Sequence, residues 1–401
     1  MKINIIDSRK KLAIISFYLL FPGFFFYHYL VGSGFLFPYL GGYFGIVSTI
    51  TLIITTILNL IDFRLTKKTT DIIFYIIILH TSITATLNYL LESPTSFSTE
   101  MFFWSLAGIT QNISCYLIAK HLNFNKNSLN ILSITLILMF LTVIFNIGND
   151  GIFYIQQEAS ADISDLVSNY QGFARSLIFV LLPLAAYNFK SNAKFIIINT
   201  IGIVALFFNG ARADFILFIA STLSLYLFKN LINLKKIVLS LAAALLFIIS
   251  GINFIQLDYD SRMLEIFDLS NSTSHLAREL LFENGLDIIS NNLIFGSYGA
   301  YTDIDGIGSY PHNLTSAWVN LGILGFILYI VIIANLWIYT IWAFLKKRTS
   351  SAEFNVFFLF LVYVSLALYS SKDYSYMLVG FLIGLRSRLD ILQDYPLFTQ
   401  R

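Results

Sequence analysis

An all-α polytopic integral membrane protein of about 12 transmembrane helices is the fold class that three features of this sequence predict. Only 12% of its 401 residues are charged, against about 25% in a soluble chain, and its mean hydropathy is +0.75. Apolar runs of about 20 residues, enough to cross a ~30 Å hydrocarbon core as a helix, recur from end to end. The gaps between those runs alternate in charge. Lys2, Arg9, Lys10 and Lys11 open a series continued by Arg64, Lys67 and Lys68, by Lys120 and Lys126, by Lys190 and Lys194, and by Lys229, Lys235 and Lys236. Lys346, Lys347, Arg348, Arg386, Arg388 and Arg401 complete it, which puts 20 of the 25 basic residues on one side. The other side keeps Arg175, Arg212, Arg262, Arg278 and Lys372, together with 17 of the 23 acidic residues. Positive loops stay cytoplasmic, so both termini are expected inside.

The expected spans are 12–30, 39–61, 72–91, 101–119, 129–147, 172–188, 195–209, 213–228, 237–255, 314–345, 354–369 and 375–388. Strands with open edges cannot satisfy their backbone in lipid, so all are read as helices. The first follows basic residues as a secretory signal would, but it is long enough to span and no small-residue cleavage site follows it. The short segment 375–388 is kept because losing it would place Arg386 and Arg388 outside. Residues 1–255 thus form one block of spans and 314–401 a second, with a cytoplasmic tail. Between them 256–313 forms a large outer loop, and the acidic loop 148–171 lies on the same side. The long loop is not polar enough to be disordered. Leu276, Leu280 and Leu281 recur at helical spacing, Ser274 is a candidate N-cap, and Gly285 and Gly296 punctuate the pattern, so short helices on the membrane surface are expected.

Within the spans ionisable groups are scarce. His28 and His80 are read as satisfied packing residues, and the mid-membrane carboxylates of proton-coupled carriers are missing. The lone cysteine, Cys115, supports neither an intramolecular disulfide nor a zinc site. No phosphate-binding glycine loop, dinucleotide fingerprint or metal cluster is present, and nothing points to nucleic acid. Asp303-Ile304-Asp305-Gly306 lacks the remaining ligands of a calcium loop and reads as a turn.

Three outward sites share one geometry. Arg175 in Gln171-Gly172-Phe173-Ala174-Arg175, Arg212 in Asn209-Gly210-Ala211-Arg212, and Pro311-His312-Asn313 each stand where a helix enters the membrane. Free N–H groups and the positive end of the helix dipole suit an anion there, while a cation in that first turn costs the helix about 0.3–1 kcal/mol. A bound anion would offset that cost, and the planar fork of arginine fits phosphate oxygens. The plainer reading pairs Arg175 and Arg212 with loop carboxylates. Arg278 is open in the same way, as an anion ligand or an exposed helix residue, and Arg262 beside Asp260 resembles a solvated ion pair. His312, fixed by Pro311, is placed to act as acid, base or hydrogen-bond donor.

The ordered set Ser274-x-x-x-Arg278, Asn291-Asn292-Leu293-Ile294-Phe295-Gly296, Pro311-His312-Asn313 and Gly322-Ile323-Leu324-Gly325 resembles the O-antigen polymerase and ligase family of bacterial envelope enzymes, the Wzy and WaaL type. Arg212 is similar to that family's "SR" corner, and Arg175 ahead of Leu182-Pro183-Leu184 to its "LP" segment. The resemblance covers roughly 165–345. Leu293 stands where proline is common, and Phe295-Gly296-Ser297-Tyr298-Gly299 is poorer in glycine than the usual turn.

The resemblance implies a GT-C-like glycosyltransferase without a metal or other cofactor. It acts at the periplasmic face of the bacterial inner membrane on an oligosaccharide carried by undecaprenyl diphosphate. It implies that Arg175, Arg212 and Arg278 hold the diphosphate, with Arg262 a further candidate, and that His312 handles the acceptor hydroxyl with Asn313 in support. Gly322 and Gly325 are expected to allow close helix packing. Besides membrane lipid, a chain-length regulator and a flippase are the partners it allows. Polymerase is favoured over ligase, because polymerase sequences diversify with each polysaccharide. A flippase would instead show internal pseudo-symmetry and polar groups near the midplane.

Overall fold

A computed structural model describes residues 5–36, 43–61, 68–91, 96–148, 153, 170–229, 242, 246, 273–301 and 310–394. Among them every named element is a helix. The chain enters through α1 (Ile5–Tyr18), a π-turn at Leu19–Gly23 and α2 (Phe24–Gly32). Pro22 lies inside that π-turn; its missing N–H and fixed φ disfavour regular i→i−4 geometry. There follow α3 (Tyr43–Ile61), α4 (Thr69–Leu91), α5 (Ser96–His121), α6 (Lys126–Phe145), α7 (Tyr170–Tyr187), α8 (Asn192–Phe208) and α9 (Arg212–Lys229). The remainder is α10 (Thr273–Asn291), α11 (Thr315–Leu345), α12 (Ala352–Ser370) and α13 (Leu378–Asp394). Side-chain caps start two of them: Asn125 Oδ1 accepts from Ser128 N at 2.8 Å, and Ser351 Oγ from Phe354 N at 3.1 Å.

Among the described residues five segments are long and apolar enough to cross a membrane: Ser8–Gly32, Thr69–Leu91, Lys126–Phe145, Thr315–Leu345 and Ala352–Ser370. Ile46–Ile57 and Asn192–Phe208 are shorter apolar helices. Helices lie on the expected segments, with 237–255 outside the described residues apart from 242 and 246. The outer faces are apolar. Ile72, Ile76, Leu79, Ile83 and Leu87 form an exposed stripe on α4, while Thr70, Asp71 and Thr81 on its other side are buried. On α6, Ile131, Ile134, Ile137, Leu138 and Leu141 are exposed while Ser128 and Thr135 are buried. Apolar stripes facing out and polar groups facing in are the arrangement that lipid, not water, stabilises. The chain is a membrane-embedded helical protein.

The centre is α7, whose residues from Phe173 to Ala186 are buried except Arg175. Phe179 meets Phe381 of α13 edge-on at 4.7 Å and Phe360 of α12 at 5.5 Å. The helix pair α13 and α5 is closest of all, because a Cβ at Gly380 or Gly384 would overlap the carbonyls of Asn112 and Tyr116. At the lysine-rich end Arg388 donates to Asn123 Oδ1 at 2.8 Å, and the Tyr187 hydroxyl to Glu353 at 3.3 Å. The opposite end holds the starts of α7, α9 and α11 and the α12–α13 loop.

Gly322 and Gly325, expected to permit helix packing, do something different. Gly322 has φ +67° and ψ −174°, so α11 is broken there. The turn Leu293–Gly296 fills the break: Ser297 N donates to Val319 O at 2.6 Å, and Ile323 N to Leu293 O at 3.2 Å. A Cβ on Gly322 would overlap the Ile294 carbonyl, and one on Gly296 (φ +71°) would lie 2.5 Å from Gly322 N. Gly325 is crowded by Leu321 of its own helix. His80 on α4 stands 3.1 Å from the Leu321 carbonyl, next to the break.

Candidate functional site

The site is built where α7, α9, α10 and the loop before α11 meet the loop after α12. Asp214, in the first turn of α9, is buried at 2% exposure. Its carboxylate accepts from the Tyr363 hydroxyl of α12 and stands 3.9 Å from Lys372 Nζ. The Lys372 ammonium also reaches Gln171 Oε1 of α7 at 3.4 Å and lies 5.6 Å from the ring centre of Tyr376. Arg175, one turn into α7, is half-buried with its guanidinium 5.3 Å from the Phe24 ring centre. Asp214 is the carboxylate whose field acts on it.

His312 completes the constellation. Its Nδ1 lies 3.2 Å from the Ser371 carbonyl and its ring 4.4 Å from that of Tyr310. A carbonyl only accepts, so in the neutral ring Nδ1 carries the proton and Nε2 keeps its lone pair. Burial pulls the imidazole down to about 4 from its ordinary 6.5; the Ser371 bond opposes that, and the cations Arg278 and Lys372 add to it. At neutral pH His312 is therefore an uncharged acceptor among positive charges. Asp373, beside Lys372, is held above the usual carboxylate range by burial, although Ser375 Oγ donates to it at 2.7 Å.

Arg278 reaches this cluster from α10. It is half-buried while Leu276, Ala277, Glu279 and Leu280 are exposed, so it occupies the inward side of the helix, and its charge acts on both Tyr310 and His312. Of the residues singled out in the sequence, Arg175, Arg278 and His312 are thus brought to one end and into one electrostatic neighbourhood. Arg212 opens α9 at the same end, two positions from Asp214, a spacing that turns the two side chains to different sides of a helix. Asn313 has a role in the fold. Its Oδ1 accepts from Thr315 N at 2.9 Å and from the Thr315 hydroxyl, at the start of α11. Arg262, most of the acidic loop 148–171 and the turn at Asp303–Gly306 lie outside the described residues.

Lys372 is visible in the sequence as the fifth outward cation but has no motif around it. Its only signal is being a lysine beside an acid at the start of a short outer loop. Around it polar atoms are left over. Ser371 Oγ and Asn209 Oδ1 are buried with no hydrogen-bond partner among the described residues, and Tyr376 Oη is buried against the Tyr363 hydroxyl. The hydroxyl that Tyr376 has for a neighbour, that of Tyr363, already donates to Asp214. Asn209 is tied to the start of α7 by its amide, which donates to Tyr170 O at 2.8 Å. Buried hydroxyls left over beside cations are able to take up anionic oxygens, and a neutral imidazole beside them is able to take a proton. No family model matches the chain, and no curated protein and no solved structure is similar to it.

Proposed function

We propose that this chain is an O-antigen polymerase. It is a glycosyltransferase with about 12 spans, GT-C-like, in a bacterial inner membrane with the cluster around His312 at the periplasmic face. Its substrates are oligosaccharide repeat units on undecaprenyl diphosphate. The observation that carries the reading is that His312, bonded to the Ser371 carbonyl at the end of the bundle opposite the lysine-rich loops, lies within the electrostatic reach of Arg278 and Lys372. The charge asymmetry of the loops supports the orientation.

In the reaction, a hydroxyl of the acceptor unit attacks C1 of the donor's reducing-end sugar. The C1–O bond to the diphosphate breaks, and its electron pair leaves on the diphosphate. The hydroxyl proton passes to His312 Nε2. Arg175 and Arg278 stabilise the charge that grows on the leaving diphosphate, in a site shielded from water where such stabilisation is strongest. Arg212 supplies further positive charge at the same end. Bidentate recognition of phosphate oxygens is the reason for arginine at these positions.

The test is an electrophoretic display of lipopolysaccharide from a strain lacking the gene. Core bearing one repeat unit, with the ladder gone, is the expected result. Bare core with long polymer stranded on its lipid carrier would replace the polymerase by a ligase. Loss of periplasmic repeat units altogether would point to a flippase and overturn the reading.

A further inference from the structure

Lys372 is a buried cation held only loosely. A lysine ammonium has three N–H donors, and charge-assisted bonds to oxygen run at about 2.7–2.9 Å. Among the described residues its acceptors are Gln171 Oε1 at 3.4 Å and Asp214 Oδ2 at 3.9 Å. The other Asp214 oxygen is taken by the Tyr363 hydroxyl. A structural ion pair this deep repays its desolvation only with close geometry and filled hydrogen bonds, and this one has neither. Beside it in the chain, Ser371 is 4% exposed with its hydroxyl unpartnered among the described residues, and Tyr376 is 8% exposed with its hydroxyl against that of Tyr363. The loop therefore holds three kinds of donor (an ammonium, an alkyl hydroxyl and a phenol) within six residues. The Ser371 carbonyl is anchored on His312, so the same loop carries both features.

We propose that Lys372, with the hydroxyls of Ser371 and Tyr376, is an anion subsite for phosphate oxygens, and that Asp214 and Gln171 hold the ammonium in place until the anion arrives. Resting on the function proposed above, the anion is the diphosphate of the lipid-linked donor. Lys372 would then take an oxygen from the side of the α12–α13 loop while Arg278 approaches from α10. A free inorganic diphosphate offers the same oxygens, so the test separates the two sources.

The experiment titrates undecaprenyl diphosphate, and separately inorganic diphosphate, into the full-length protein in nanodiscs of zwitterionic lipid. Wild type is compared with K372M, with the double variant K372M/D214N, and with S371A/Y376F. The double variant removes both charges of the buried pair, which relieves the uncompensated carboxylate that K372M alone would leave. The expected result is about tenfold or greater weakening of lipid diphosphate binding in K372M that the double variant does not restore. S371A/Y376F, which leaves the ion pair whole, is expected to bind about threefold or more weakly. Wild-type affinity in the double variant would reduce Lys372 to a neutraliser of Asp214 and overturn the proposal. Should the double variant fail to fold, unchanged binding in S371A/Y376F would overturn it equally. Binding of inorganic diphosphate alone, lost in K372M, would keep the subsite and remove the lipid-linked donor. No binding of either anion by wild type would sink both.

Discussion

The chain leaves helical geometry at Gly322 and again at the loop that begins with Ser371, and the two places are closed in different ways. At Gly322 the groups beside the break are taken up by the protein itself. Val319 O receives Ser297 N, Ile323 N finds Leu293 O, Leu321 O faces His80, and Trp318 Nε1 reaches Leu293 O at 3.0 Å. At the second place Ser371 Oγ stays buried and unpartnered among the described residues, next to a cation with long contacts. Buried polar groups are nearly always satisfied. A break saturated from within is architecture, and the second is where the proposed anion subsite lies.

Substitution at Gly322 gives the largest expected effect. Gly322→Leu forces a side chain into the left-handed region, at about 1–3 kcal/mol for the backbone alone, and drives it into the Ile294 carbonyl. Loss of monodisperse protein in detergent chromatography is expected. A Gly322→Leu protein with wild-type thermal stability would show that the break is not architectural.

Next comes Arg278. If its planar fork is what binds phosphate, Arg278→Lys damages turnover nearly as much as Arg278→Ala, by about 10²–10³ in each case. Thermal stability should be unchanged, because α10 around it is exposed. A fully active lysine variant removes the bidentate role.

His312→Ala should abolish transfer while binding of lipid diphosphate persists, and unchanged turnover would take His312 out of the mechanism. Its protonation sharpens the point. Because burial holds the imidazole at about 4, the acid limb of kcat/KM, which reports the free enzyme, belongs near that value. A limb near 6.5 would mean an exposed or cation-free histidine. The same depressed value has a consequence for stability: the unfolded chain protonates first, so the contribution is complete above pH 6.5 and is lost as pH falls toward 4.

The smallest effect is at His80. His80→Leu removes one hydrogen-bond partner of the Leu321 carbonyl, at about 1 kcal/mol. A slightly lower melting temperature with normal turnover is expected, and a large loss of turnover would move His80 from architecture to function.

The helices were legible because lipid demands long apolar runs, and loop charge marked which ends belong together. His312 and Arg278 were legible as candidates because each stands beside a structural punctuation mark, Pro311 in one case and the start of α10 in the other; that helix begins at Thr273, so Ser274, expected as its N-cap, lies inside it. What escaped depends on tertiary contact. Gly322 reads as a packing glycine until the Leu293–Gly296 turn is seen inside its helix, and the bond from Asn313 Oδ1 to Thr315 shows only in three dimensions. Lys372 has no local pattern at all. Its meaning comes from Asp214, which is 158 positions away in sequence and 3.9 Å away in space.

The most direct measurement supplies purified protein in lipid nanodiscs with undecaprenyl-diphosphate-linked repeat units in the presence of EDTA. A ladder of polymer, with one undecaprenyl diphosphate released for each new glycosidic bond and none formed by His312→Ala, is the predicted result. Unreacted repeat units, or a single transfer that appears only when lipid A core is added, would contradict it.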